Sequence, residues 1–207
     1  MLAIAGGKGG VGKTTTALGL AAALPDRPLV VDADQDMPDL HAVAGVPRGG
    51  PEDAELPDRI RAVEDRRCHI LPVPNRELPS PSRRLARVRA AWTDPDDSPP
   101  ILIDTPAGAG IDAAAPLEVA DGVVVVSTAC APALRDAAKT ASMARAVGTP
   151  VVGAVVTRTA VRPPAAADLL GCTLLGAVPE VDGRPLESRR VRERYEAAAS
   201  ALLDATE

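Results

Sequence analysis

Ten residues near the start of the chain, GGKGGVGKTT at positions 6–15, constrain the fold more than any other feature, because they lie directly between an apolar run, LAIA, and a helix-forming stretch, TALGLAAAL. Gly7, four residues, then Gly12-Lys13-Thr14 is the spacing of a phosphate cradle. Backbone amides wrap the phosphates of a nucleotide, the lysine meets the β- and γ-phosphates, and the hydroxyl reaches Mg²⁺. Glycine permits the close backbone approach, and the following helix adds its N-terminal dipole. Gly7, Gly9, Gly10, Val11, Gly12, Lys13, Thr14 and Thr15 are therefore candidate nucleotide contacts, with Thr14 a candidate metal ligand.

The rest of the chain supplies the sheet that such a loop needs. Apolar runs at 2–5, 29–31, 70–73, 101–103, 123–126, 151–156 and 174–178 are uniformly hydrophobic rather than alternating, as parallel strands covered on both faces read. Helical stretches fall between them at 14–24, 82–92, 114–120, 134–147 and 164–170, with a last one at 189–203. This βαβ series predicts an α/β fold of three layers, α/β/α, around a mainly parallel, doubly wound sheet, with residues 1–207 forming a single domain. Positions 46–67 and 93–100 read as loops around short helices, DPDDSPP being the plainest turn.

Composition narrows the function. There is no Phe, one Trp and one Tyr, so the core must be packed from Ala, Val, Leu and Ile. A net charge of -5 gives no global attraction to nucleic acid or to an anionic membrane. Cys68, Cys130 and Cys172 are odd in number and lack a CxxC pair, which argues against a disulfide framework or a cysteine-rich metal site; His41 and His69 are isolated. No signal peptide pattern and no apolar run near 20 residues is visible, so a cytoplasmic protein is expected.

In open α/β sheets ligands bind beyond the carboxyl ends of the strands. Two predicted strands end on acids there: VVDADQDMPDL puts Asp32 and Asp34 just past 29–31, and ILIDTPAGAG puts Asp104 at the end of 101–103. A further cation, Lys8, stands inside the loop, giving KGGVGKT, although only three of the chain's 23 basic residues are lysines.

This pattern resembles the deviant Walker A family of P-loop ATPases, the SIMIBI-class group that includes MinD, ParA, the nitrogenase iron protein and the arsenite-pump ATPase. The likeness is nearest to MinD-like members and extends to CHILPVPNREL, ADGVVVVSTACAPALRDAAKT, VVTRTA and LLGAVPEVDGRPLESRR. It implies that Lys8 contacts the partner's phosphates across a nucleotide-sandwich dimer. Asp104 matches the Walker B aspartate on Mg²⁺, and 105–108, ending at Gly108, matches switch II. Asp34 matches the switch I residue that positions the attacking water beside the metal, Asp32 lies behind the metal, and Asp36 and Asp39 face a partner subunit or effector. Lys8, Lys13, Asp34 and Asp104 are thus the implied catalytic set, Thr14, Asp34 and Asp104 the implied metal set, and Thr157, Arg158, Pro179 and Glu180 the implied base-side contacts. An asparagine in many relatives stands as Thr157 here.

The function so implied is an ATP-dependent homodimer that binds ATP/ADP with Mg²⁺, hydrolyses ATP, and acts as a spatial switch in division-site placement, positioning of cellular structures or DNA partitioning, with a protein activator or cargo adaptor. The alternatives are a ParA-like nonspecific DNA-binding ATPase, a non-hydrolysing nucleotide-dependent scaffold, and a small-molecule kinase. MinD proteins end in a basic amphipathic membrane-targeting helix; RRVRERYEAAASALLDATE instead reads as a core helix with Val191, Tyr195, Ala198 and Leu202 on its apolar stripe, so autonomous membrane binding is not expected. Its arginines, with Arg83, Arg84, Arg87 and Arg89, offer a candidate basic surface for DNA.

Overall fold

The structure is a computed structural model that describes residues 1–48, 56–73, 80–92, 99–108 and 110–206. Parts of the predicted loops, 49–55 and 93–98, and the PNREL end of the 68–78 segment lie outside the described residues. The predicted strands are present as β1 (Leu2–Ala5), β2 (Leu29–Asp32), β4 (Cys68–Leu71), β5 (Ile101–Asp104), β6 (Gly122–Thr128), β7 (Val151–Thr157) and β8 (Leu174–Val178). A short strand, β3 (Arg61–Val63), joins them where a loop was expected. The eight strands form one sheet in the order β3-β4-β2-β5-β1-β6-β7-β8, parallel except that β3 runs antiparallel to β4 at the edge.

Six predicted helices are present: α1 (Lys13–Ala23), α3 (Pro81–Trp92), α4 (Ile111–Val119), α5 (Ala131–Ala146), α6 (Pro164–Leu170) and α7 (Arg189–Asp204). A five-residue helix, α2 (Leu40–Ala44), is additional. α1, α2 and α7 cover one face of the sheet, where Ile4, Val30, Ile70, Leu102, Val124 and Leu175 meet Leu18, Leu20, Leu40 and Tyr195. The alternate residues cover the other face. Ala3, Ala5, Val123 and Val125 pack on Leu117, Ala137 and Ala141, while Leu29, Val31, Leu71 and Ile103 pack on Leu85 and Val88 of α3. This is the expected three-layer arrangement. Alanine does the work that aromatic residues do elsewhere: Ala137, Ala141 and Ala144 are fully buried along α5, and small side chains let a helix lie close to the sheet.

Among the described residues no helix is long and apolar enough to cross a membrane. Arg84, on the sheet-facing side of α3, is only 5% exposed, and Arg89 pairs with Asp121. Since α3 and α7 also lie on opposite faces of the sheet, their arginines do not form the one basic surface considered above.

Candidate functional site

β1 is central in the sheet, between β5 and β6, so the loop that leaves it emerges over the carboxyl ends of all three strands. The loop is a close-fitting structure. A Cβ at Gly7 would come within 2.3 Å of the Asp136 carbonyl oxygen in α5, so no larger residue fits without moving that helix. Gly12 caps α1 with φ 93°, a left-handed conformation that glycine adopts without strain. Gly9 and Gly10 face open space on the other side.

The two lysines of the loop point to different surroundings. Lys13 is buried, 8% exposed, and its charge acts on Asp104. Lys8 is exposed and makes no hydrogen bond or ion pair among the described residues. Its charge is felt by Cys130, at the N-cap of α5, whose thiol lies below its usual range chiefly through the hydrogen bond with Thr128 and the Ala133 amide, with Lys8 adding to the effect.

On one flank of the loop the strand ends bring acids together. Asp32 and Asp104 are register partners on neighbouring parallel strands, and both are buried, 0% and 2% exposed. Burial raises the Asp32 carboxyl to about 7, against the Asp34 amide and the Arg84 charge, which lower it. Burial likewise pushes Asp104 well above the carboxylate range, opposed by the Thr14 hydroxyl. Asp32 Oδ2 and Asp104 Oδ1 have no hydrogen-bond partner among the described residues. Buried polar atoms left unpaired are costly, and each calls for an explanation.

The turn after β2 carries the remaining acids. The Asp34 amide donates to Asp32 Oδ1 at 3.1 Å, and Asp34 Oδ1 accepts from the Met37 amide at 3.0 Å. Asp34 itself is half-buried and Asp36 exposed. The Thr14 hydroxyl donates to Asp39 Oδ1 at 2.8 Å, and Asp39 remains exposed. No sequence signal distinguished Asp39 from its neighbours; it stands at the N-cap position of α2, which packs on α1, the helix that carries Thr14. Beyond β5, Thr105 Oγ1 donates to the Ile4 carbonyl at 3.1 Å, and Gly108 adopts φ 103° in open space.

On the opposite flank lies a cavity of about 240 Å³ lined by residues that include Val11, Thr15, Thr157, Arg158, Pro179 and Glu180. The predicted base-side residues therefore do come together. Their polar groups are largely engaged with the chain itself. Thr157 Oγ1 lies 2.7 Å from the Val11 carbonyl and 3.3 Å from that of Ser127, and can donate its single proton to one of them. Arg158 donates to the Gly10 carbonyl at 2.7 Å and stands 3.9 Å from Glu180. Beneath the cavity Tyr195 of α7 reaches the Thr16 hydroxyl at 3.1 Å, through the gap left by Gly19. A Cβ at Gly19 would meet the Tyr195 ring at 2.3 Å.

The arrangement fits a magnesium nucleotide. Mg²⁺ is held by few protein groups plus phosphate oxygens and water, and Thr14 beside the unpaired Asp104 oxygen is such a set. Among the described residues no group of three or more His, Cys, Asp or Glu gathers into a site that would hold a metal without the nucleotide.

Comparisons with known proteins agree with this geometry. A family model described as the CobQ/CobB/MinD/ParA nucleotide binding domain matches residues 2–182. An uncharacterised ATP-binding protein of Methanocaldococcus jannaschii is 32% identical over 199 residues, 86% of this chain and 74% of that protein. An iron-sulfur cluster carrier protein of Pseudomonas fragi is 35% identical over 172 residues, 75% of this chain and 58% of that protein. Among solved structures, the septum site-determining protein MinD of Pyrococcus horikoshii, complexed with Mg-ADP, superposes with a TM-score of 0.81 at 25% identity, covering 96% of this chain and 93% of that one. The cell division ATPase MinD of Pyrococcus furiosus gives 0.81 at 26% identity, covering 98% of each.

Proposed function

The chain belongs to the CobQ/CobB/MinD/ParA nucleotide-binding domain family, and from that premise we propose that it is an ATPase whose ATP-bound homodimer acts as a spatial switch. In this reading residues 1–207 work as one domain in the cytoplasm. The triphosphate lies along residues 7–15, and the base turns toward the cavity beside Thr157, Arg158, Pro179 and Glu180. Thr14 and Asp104 hold Mg²⁺, with Asp34 close to it. When bound, Mg²⁺ neutralises charge on the phosphate oxygens. Lys13 contributes positive charge to the β- and γ-phosphates from within the protomer, where the phosphoryl transition state gathers negative charge. Asp34 orients the attacking water. Backbone around Gly108 follows the γ-phosphate.

The single observation that carries the dimer is the contrast between the two lysines. Lys13 is buried against the acids, whereas Lys8 stands exposed with no hydrogen bond or ion pair among the described residues. A cation held at the mouth of a phosphate loop, and unused by its own protomer, suits the phosphates of a facing one. Two solved relatives, one a cell division ATPase and one complexed with Mg-ADP, support the nucleotide and the metal. The switch would serve division-site placement, positioning of cellular structures or DNA partitioning, and the two MinD structures favour the first.

Mass in solution tests the reading. With ATP and Mg²⁺ the wild type is expected to run as a dimer, Lys8→Ala as a monomer and Asp34→Ala as a dimer that persists. One unchanging mass in all three proteins would defeat the nucleotide-driven switch. Phosphate release from the wild type separates an ATPase from a non-hydrolysing scaffold.

A further inference from the structure

A buried arginine lies directly behind the acidic turn. Arg84 projects from α3, in the layer opposite α1, and its guanidinium reaches the carboxyl ends of two strands. Nη1 donates to the backbone carbonyl of Asp32, and Nη2 lies 3.4 Å from that of Pro72. The remaining nitrogen, Nε, is buried with no acceptor among the described residues. Arginine is almost never this buried unless it is paired, and here its partners are the two backbone carbonyls and the charge of Asp32.

The sheet explains the need. β2 and β4 pair only as far as Val31 opposite Leu71, while on its other side β2 continues to Asp32 opposite Asp104. At Asp32 one neighbouring strand has left the ladder. A planar guanidinium with divergent N–H groups stands between the separating strands, facing a carbonyl from each. Asp32 is also the anchor of the turn, since its Oδ1 accepts the Asp34 amide and Asp34 Oδ1 accepts the Met37 amide.

We propose that Arg84 is a positioning residue: by holding the Asp32 carbonyl where β2 and β4 part, it sets the turn that presents Asp34 to the phosphate loop. Its effect passes through Asp32 and its neighbours; Arg84 itself touches no reacting atom. The kinetic part of the test rests on the ATPase reading above, and the structural part does not.

Hydrogen exchange on the nucleotide-free protein reads the turn directly. In Arg84→Met the amides of residues 33–37 are expected to exchange about tenfold faster or more, while those of α1 and β6 keep their wild-type rates. Arg84→Lys, which can reach one carbonyl but not both, should fall between. In steady-state assays the same variants should lower kcat by about tenfold and leave the affinity for ADP within about threefold, because the phosphate loop is untouched. Uniformly faster exchange across the sheet would reduce Arg84 to a general stabilising role and overturn the proposal, as would unchanged exchange at 33–37. If Arg84→Met fails to fold, the lysine variant decides by the same criteria. Absence of turnover in the wild type would refute the ATPase reading, and the exchange measurement would still settle the role of Arg84.

Discussion

The two flanks of the phosphate loop treat their polar atoms in opposite ways. On the acidic flank, Asp32 Oδ2 and Asp104 Oδ1 are buried and, among the described residues, unpaired, at the ends of adjacent strands. On the cavity flank, the Thr157 hydroxyl, which the family resemblance put beside the base, has backbone carbonyls of Val11 and Ser127 within reach. Unpaired buried groups cost stability and are kept for a ligand; paired ones hold the scaffold. The acidic flank should therefore matter for binding, and the Thr157 flank for stability.

The largest expected effect is on the nucleotide. Lys13→Ala should weaken ATP binding by about 4 kcal/mol, roughly a thousandfold, because a buried charge is removed from the phosphates. Asp104→Asn should abolish the gain in ATP affinity that Mg²⁺ brings, yet leave the nucleotide-free protein as stable as before, since burial already disfavours that charge. Titration calorimetry with and without Mg²⁺, beside urea unfolding, measures both; a destabilised Asp104→Asn would erase the contrast between the flanks.

Acid should stabilise the protein through Asp32. Its folded pKa, about 7, lies above the ordinary carboxylate range, mainly through burial. The native state thus holds its proton where the unfolded state has lost it, so stability is full below about pH 4 and falls as pH rises through about 7. The loss in the nucleotide-free protein should be on the order of 4 kcal/mol, and Asp32→Asn should remove it. An unchanged slope in that variant would assign the pH dependence to other groups.

Smaller effects belong to the cavity flank. Thr157→Val should destabilise the fold by about 1 kcal/mol by removing the one hydrogen bond its hydroxyl donates to a buried carbonyl, and change ATP affinity less than about threefold. A large affinity loss instead would make Thr157 a base-recognition residue and collapse the comparison. Glu180→Gln, which touches only the exposed pair with Arg158 at 3.9 Å, should alter stability by less than about 0.5 kcal/mol.

Legibility followed contiguity. The strands were readable because parallel strands buried on both faces are apolar throughout, as LVVD and ILID are up to their last residue. β3 was not: three residues, RAV, with only Val63 buried, carry no period, and the strand exists through pairing with β4. α5 begins at Ala131 rather than 134, and Pro132 in its first turn was the available signal. α4 begins at Ile111, three residues before the expected start, with Pro116 inside it.

The loop at 6–15 and the acids ending β2 and β5 needed nothing beyond their order in the chain, because a phosphate cradle is local and parallel strands deliver their carboxyl ends to one edge. Arg84 could not be found that way. An arginine amid Arg83, Arg87 and Arg89 reads as solvated surface, and only the parting of β2 from β4 turns Arg84 inward. The same holds for Asp39 at Thr14 and Tyr195 at Thr16, contacts between residues 25 and 179 positions apart. Side-chain partners across such separations are chosen by which elements pack together, and that is decided by burial of the whole apolar surface rather than by any local pattern.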